Sequence, residues 1–289
     1  MHSLYVCLQR LCTQWLIFLC TALSLTLTTG LAAYAQTGPG GVGTDDGTSD
    51  LRIWLQGGEG GSGFDGTSAV STWFDRSGNG YDFGRSSKQP SQASINGRAV
   101  LEFNNGEWIG SASGSIPASD IPEVNYTQFV VFESGDTEGT ISAVVGRENG
   151  EAVDPSSGSN ARNFGFQTGG SLPDGRLAHR RFDGAGGVGA YVIETNAAFN
   201  DNTSRIATVQ VNDNDNGQSI FVNGASEASG TETGTSYTNE GGFILGNHDN
   251  FGELDGRIGE FIVFGRVLND AEQTIVENYL ASKFGASLA

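Results

Sequence analysis

Cysteine is absent beyond residue 20. Cys7, Cys12 and Cys20 all lie in the opening segment, and the chain holds one methionine and only three histidines, His2, His179 and His248. The body of the protein therefore has no disulfide and no thiolate chemistry. It must gain stability from a buried core, which a body of about 250 residues is large enough to form. Zinc would lack a His or Cys cluster. A serine-esterase site would lack the Gly-x-Ser-x-Gly elbow. Basic residues are scarce as well: 15 Lys and Arg stand against 33 Asp and Glu, for a net charge of −18. Such a balance excludes a nucleic-acid partner, whose phosphates demand a basic face. An acidic surface keeps an exported protein soluble, and it can recruit calcium.

Charge is also missing from one long stretch. Arg10 is the only charged residue among the first 35, and none occurs from Leu11 to Thr44. The apolar run "WLIFLCTALSLTL" followed by "AYA" reads as a secretory signal over residues 1–35, with small residues Ala33 and Ala35 at the cleavage site. Cleavage near Ala35 would place the protein outside the cell or on its surface. The competing reading is an uncleaved anchor, since the uncharged stretch is long enough to span a bilayer. A lipid anchor fits poorly, because Leu19 before Cys20 is bulky. Residues 36–49, "QTGPGGVGTDDGTS", read as a flexible Gly-rich lead-in.

Glycine is what the chain has in excess, 44 residues, roughly twice the ordinary share. Asn-Gly pairs begin at Asn79, Asn96, Asn105, Asn149, Asn216 and Asn223, each a tight-turn signal because both residues accept positive φ. Between the turns lie short β-branched and aromatic runs: "LRIWL", "AVLEF", "TQFVVFE", "ISAVVG", "AYVIE", "RIATVQV", "SIFV", "FILG" and "RIGEFIVF". Short strands at close spacing predict an all-β sandwich or barrel. The end differs. "NDAEQTIVENYLASKFG" predicts a helix with a capping box from Asn269 to Glu272, a stripe of Ile275, Val276, Tyr279 and Leu280, Lys283 in the last turn, and Gly285 as the stop.

These passages resemble the LamG-like (concanavalin A-like) jelly-roll domains of exported bacterial proteins. "LRIWL" and "VSTWFDRSGNGYDF" are similar to that family's opening strand and its Trp-x-Asp-x-Ser-Gly-Asn-Gly turn. "RIATVQVNDNDNGQSIFVNG" resembles its central hairpin, and "GGFILGNHDNFGELDGRIGEFIVFGRVLNDAE" with "IVENYLASKFG" its closing strands and terminal helix. The likeness runs over residues 36–289, is most specific in the last 50 and weakest over about 110–200. It implies an all-β, two-sheet antiparallel jelly-roll sandwich with a short C-terminal helix, occupying residues 50–289. It implies no single activity, because this sandwich serves lectins, adhesion modules and glycosidases.

Laminarinase-like members of the wider superfamily carry Glu-x-Asp-x-Glu, or a version longer by one residue, on one strand, one Glu as nucleophile and one as acid. Glu253 and Asp255 take the first two places, but the third falls on Arg257 or Ile258. Glu260 lies about 7–10 Å too far along a strand. The chain is therefore expected not to be an enzyme of that type. The same loop, "GNHDNFGELDG", offers Asp249, Asn250, Glu253 and Asp255, beside His248, as oxygens for calcium or partners for sugar hydroxyls. The alternative there is a polar inter-strand loop.

Other motifs yield less. In "DRSGNGYD", Asp75, Asn79 and Asp82 fit a turn closed by side-chain-to-backbone bonds. "NDNDNG" at 212–217 fails as an EF-hand, since residue 223 is Asn where Glu is required, and reads as a hairpin turn. Three Gly-x-Gly-x-x-Gly matches, beginning at Gly38, Gly58 and Gly184, lack the following helix of a dinucleotide site. The basic knot "GRLAHRRF" sets Arg176, Arg180 and Arg181 beside His179, either to contact an acidic polysaccharide or to pair with the surplus acids. Trp54 and Trp73 read as core, and Trp108 as a sugar-stacking ring or a core residue.

The expected function is noncatalytic extracellular recognition of carbohydrate or another surface polymer, with calcium as the one cofactor to consider. The partners are then a polysaccharide, a glycan or a cell-surface protein, and the membrane enters only through the export signal. The alternatives are a structural or adhesion module without a glycan ligand, and a glycoside hydrolase or lyase with other catalytic residues.

Overall fold

Among the described residues the short apolar runs form strands, and every strand pairing is antiparallel. The computed structural model describes residues 38–57, 63–66, 68–85, 87–104, 106–111, 116–117, 119–122, 125–135, 142–148, 160–167, 175–181, 191–212, 217–231, 242–248 and 252–289. The chain divides into two units, Met1–Gln36 and Thr37–Ala289. The expected signal over 1–35 lies outside the described residues, as do Asp249 and Asn250.

The strands are β1 (Leu51–Gln56), β2 (Thr72–Trp73), β3 (Phe83–Gly84), β4 (Ser91–Ile95), β5 (Arg98–Phe103), β6 (Ile109–Ser111), β7 (Tyr126–Ser134), β8 (Ser142–Glu148) and β9 (Asn160–Gln167). They continue as β10 (Arg176–Arg181), β11 (Tyr191–Ala198), β12 (Arg205–Asn212), β13 (Gly217–Val222), β14 (Ala225–Thr231), β15 (Phe243–Leu245), β16 (Asn247–His248), β17 (Gly252–Glu253) and β18 (Gly256–Phe264). Helix α1 (Asp270–Phe284) closes the fold. The first sheet runs β14-β13-β12-β7-β18-β5-β4, with β1 also on β18, and the second runs β11-β10-β9-β8-β15-β6-β3-β2. Strands β16 and β17 pair by themselves. The two-sheet antiparallel sandwich with a C-terminal helix is the architecture read from the sequence.

Two cores explain the strand patterns. One lies between the sheets and holds Trp73, Phe83, Phe103, Phe132, Phe166, Phe243 and Phe261. The other lies between the far face of the first sheet and α1, with Trp54, Phe129, Ile262, Phe264, Val276, Leu280 and Phe284. Central strands β7 and β18 are covered on both sides, which is why "YTQFVVFES" and "GRIGEFIVF" read as nearly unbroken apolar runs. Strand β13 alternates buried and half-buried residues, as a strand covered on one face does.

The helix is capped as its sequence predicts. The Asn269 side chain accepts from the Glu272 amide at 3.0 Å, Glu272 accepts from the Asn269 amide at 3.1 Å, and Gly285 ends the helix at φ 71°. Its buried face keeps Val276 and Leu280 of the predicted stripe, with Tyr279 packed at its edge, but not Ile275. Ile275 is 45% exposed, and the buried residues are Gln273, Val276, Glu277, Leu280 and Phe284. The face is rotated because its polar members find partners. Glu277 accepts from Thr208 Oγ1 at 2.7 Å and from Gln273 Nε2 at 2.9 Å, and Gln210 Nε2 donates to Gln273 Oε1 at 2.9 Å. Buried polar groups are tolerated when so satisfied.

From residue 38 the Gly-rich lead-in packs on the domain: Val42 is buried in the core beneath α1. Glycine serves close approach here. At Gly40, with φ 67°, an added Cβ would stand 2.9 Å from the Ile275 carbonyl oxygen.

The turn after β2 has the structural role expected of it. One edge of β1 pairs with β18, and the turn's side chains satisfy the other edge, which would otherwise expose a row of unpaired backbone groups. Asp75 accepts from the amides of Trp54 at 2.9 Å, Ser77 at 3.0 Å and Tyr81 at 3.0 Å. Ser77 Oγ donates to the Arg52 carbonyl at 2.8 Å, and Asn79 Nδ2 to that of Leu51 at 2.9 Å. Two Asn-Gly pairs make positive-φ hairpin turns, Asn96-Gly97 at 49° and 79° between β4 and β5, and Asn223-Gly224 at 49° and 82° between β13 and β14.

Candidate functional site

A polar pocket of about 450 Å³ opens at one end of the first sheet, lined by Glu102, Glu133, Gly135, Asn202, Asp255, Gly256 and Arg257. Its floor is a cross-strand row. Arg257 on β18 is in register with Glu102 on β5 and with Glu133 on β7. Leu101, Phe103, Phe132 and Ile258 point into the inter-sheet core. Strand alternation therefore sends Glu102, Arg257 and Glu133 to the opposite face, the one that carries α1. The row lies just past the helix end, where Phe284 sits against Gly259.

The guanidinium is clamped from both sides. Arg257 donates through Nε to Glu102 Oε1 at 3.0 Å and through Nη1 to Glu133 Oε1 at 2.9 Å, while Nη2 lies 3.0 Å from Glu102 Oε1. Opposite charges directly across an antiparallel pair stabilise the row, although each side chain is partly exposed and the pairs are correspondingly screened. The walls are tethered to the same strands. The Asn202 amide donates to the Ser134 carbonyl at 2.9 Å, and Ser134 Oγ donates to the Asp255 carbonyl at 2.6 Å. The Asn202 side chain lies against Gly135, where any Cβ would collide with it. With its amide turned to donate, Asn104 reaches Asp255 Oδ1 at 3.0 Å and the Phe103 carbonyl at 3.2 Å. The lining thus offers carboxylate and amide oxygens in excess of one committed guanidinium. It suits hydroxyl donors and disfavours anions.

The residues singled out in the sequence fall in several places. Asp255 lines the pocket. Glu253 is exposed on β17, its carboxyl against Gly106. Among the described residues no three His, Cys, Asp or Glu side chains are grouped to hold a metal ion; Asp249 and Asn250 of the expected calcium set lie outside the described residues.

Glu260 is engaged beneath the helix. It is fully buried beneath α1, accepting from Trp54 Nε1 at 2.6 Å, Tyr279 OH at 3.0 Å and Lys283 Nζ at 2.7 Å. Burial raises its pKa, while Lys283 and the two other donors pull it down. Burial likewise raises the Tyr279 hydroxyl, with Glu260 adding to it.

The basic knot is engaged within the fold. Arg176 donates to the Thr195 carbonyl and, at 3.4 Å, to Asn196 Oδ1, and it stands 3.9 Å from Glu194. Arg180 is only 4% exposed, and burial lowers its pKa to about 10 against the pull of Glu194. His179 is buried between the sheets, bonded to Gln218 Oε1 at 2.5 Å and to Tyr126 OH at 3.4 Å. Neither Arg176 nor Arg180 is a free surface cation for an acidic polysaccharide, and the Arg181 side chain lies outside the description. Trp54 and Trp73 are core, as read. Trp108 is 5% exposed, its ring covered by the Arg85 guanidinium at 3.4 Å, so it presents no open stacking face. Glu102, Glu133 and Asn202 were not singled out, because only register and a loop crossing bring them to Asp255.

The family profile of the concanavalin A-like lectin/glucanases superfamily matches residues 109–272, more than half of the chain, and includes the stretch over 110–200 where the motif likeness was weakest. No curated protein sequence matches this chain. Among solved structures, the receptor-binding domain of botulinum neurotoxin type G is similar at a TM-score of 0.54 and 14% identity, over 81% of this chain and 52% of that one. The binding domain of botulinum neurotoxin DC in complex with SialylT matches at 0.55 and 12%, over 80% and 51%. The chain thus spans about half the length of these toxin domains. Domain 4 of AbnA, a GH43 extracellular arabinanase from Geobacillus stearothermophilus, in complex with arabinotriose, matches at 0.54 and 14%, over 78% of this chain and 97% of that one. At these identities the likeness is one of fold. The profile match and the sandwich together place the protein: it belongs to the concanavalin A-like lectin/glucanase superfamily.

Proposed function

We propose that this chain is a noncatalytic recognition domain, exported by its opening segment, that binds neutral carbohydrate in the pocket between Glu102, Glu133, Asn202, Asp255 and Arg257. The observation that carries the reading is the clamped row. With Arg257 already bonded to two glutamates, the remaining carboxylate and amide oxygens favour sugar hydroxyls, which are hydrogen-bond donors. Sialylated or uronic sugars would meet like charge. The arabinotriose complex of similar fold supports carbohydrate as the ligand class. The absence of catalysis is supported by Glu260, which is tied to Lys283 beneath the helix and leaves Glu253 and Asp255 without the second glutamate of the laminarinase-like strand.

Glycan-array binding of the full chain, with calcium and then with chelator, tests the reading. Neutral glycans are expected to bind and anionic ones to fail. A hydrogen bond to a charged group contributes about 1.5–3 kcal/mol, so Asp255→Ala should weaken binding by roughly 10- to 100-fold. Asn202→Ala should have a smaller effect. Loss of binding in chelator would assign a role to calcium. Release of new reducing ends from a bound glycan would refute the noncatalytic assignment. No binding in either condition would make the chain a structural or adhesion module.

A further inference from the structure

We infer that the face of Trp108 is a second carbohydrate-stacking position, held shut by Arg85. The inference rests on the carbohydrate reading above but concerns a different part of the molecule. Trp108 stands immediately before β6, and Ile109 enters the inter-sheet core. Alternation turns Trp108 and Gly110 to the outer face of the second sheet. The ring belongs to neither hydrophobic core.

One face of the ring is covered by a cation. Arg85 Cζ lies 3.4 Å from the centroid of the Trp108 ring. A guanidinium at that distance occupies the place that the apolar C–H face of a pyranose takes on an aromatic ring, and Arg suits the position because it is planar and weakly hydrated. Arg85 is half-buried and directly follows β3, next to exposed Ser87 and Lys88. Beside the indole, β3 and β6 present Gly84 and Gly110, paired in register, in place of side chains, and Gly84 is exposed. A sugar ring arriving over this face of Trp108 displaces the Arg85 side chain, whose Nε also donates to the Ser87 carbonyl at 2.5 Å. Once displaced, the guanidinium stays tethered at the rim, where its donors meet sugar oxygens. Arg85 is a gate, and the ligand is a neutral pyranose unit.

The test compares the full chain with Arg85→Ala, Trp108→Phe and the double variant, by acrylamide quenching of indole fluorescence and by titration with cellohexaose and arabinotriose. Arg85→Ala is expected to make one further tryptophan accessible, and the gain should vanish when Trp108→Phe is added. Oligosaccharide binding should tighten about three- to tenfold in Arg85→Ala, the scale of one partly shielded cation–π contact removed from the competition, and weaken in Trp108→Phe. Quenching unchanged by Arg85→Ala would overturn the inference, since the ring would then be covered by other groups. Binding lost in Asp255→Ala yet indifferent to Arg85 and Trp108 would overturn this inference alone and leave the pocket standing. Binding lost in Trp108→Phe yet indifferent to Asp255 would support it and overturn the pocket. No binding of either oligosaccharide by any variant would overturn both.

Discussion

Lys283→Met should be among the most destabilising changes available on the helix. Lys283 Nζ donates to Glu260 Oε2 at 2.7 Å, and Glu260 is fully buried between β18 and α1. Methionine keeps most of the lysine volume, so packing against Phe284 survives and the charge alone is lost. Glu260 then retains only the Trp54 and Tyr279 donors, and removing one partner of a buried pair costs about 3–5 kcal/mol. The pH dependence follows. Burial already raises the Glu260 pKa, and without Lys283 it rises further above the unfolded value. The folded variant then holds its proton more tightly than the unfolded chain, so the cost is full above the folded pKa. It declines as pH falls toward the unfolded pKa, by about 1.4 kcal/mol per unit in between. Urea melts at pH 7.5 and pH 5 measure this through the midpoint at constant slope. Adding Glu260→Gln should restore much of the loss at pH 7.5. A single variant within about 1 kcal/mol of the parent at pH 7.5, or a double variant no better than the single, would refute the argument that an uncompensated buried charge is responsible.

Glu277→Gln should show the opposite sign. Among the described residues its buried carboxyl accepts from Thr208 and Gln273 and faces no cation, and burial raises its pKa. The parent should therefore lose stability as pH rises from the unfolded toward the folded pKa, and the glutamine variant should lack that slope in the same melts. Asp75→Ala should cost about 2–4 kcal/mol, because it strips the acceptor from the Trp54 amide at the edge of β1 and from the Ser77 and Tyr81 amides of the turn. Faster hydrogen exchange at the Trp54 amide is the local readout. An unchanged midpoint would mean that water replaces the carboxylate.

Local chemistry made much of this protein legible in one dimension. The Asn96-Gly97 and Asn223-Gly224 turns, the Asn269 capping box, the Gly285 stop and the Asp75 turn each depend on residues within a few positions of one another, and all form as read. Alternation and unbroken apolar runs likewise announced strands and a sandwich. The site was another matter. Asp255 could be picked out as a surface carboxylate, but Glu102, Glu133 and Arg257 become neighbours only through the register of β5, β18 and β7, and Asn202 only through a loop crossing to Ser134. The same limit hid the Arg85 guanidinium that lies over Trp108, and the partners that engage Arg176 and Arg180, whose residue type suits anion binding. It also left Glu260, too far along the strand to join Glu253 and Asp255, without a role until the helix brought Lys283 onto it. A residue's type and its local pattern decide which conformation and chemistry it can support. Whether that chemistry is exposed, paired or spent inside the fold depends on contacts between distant segments, which only the packed sheets and helix determine.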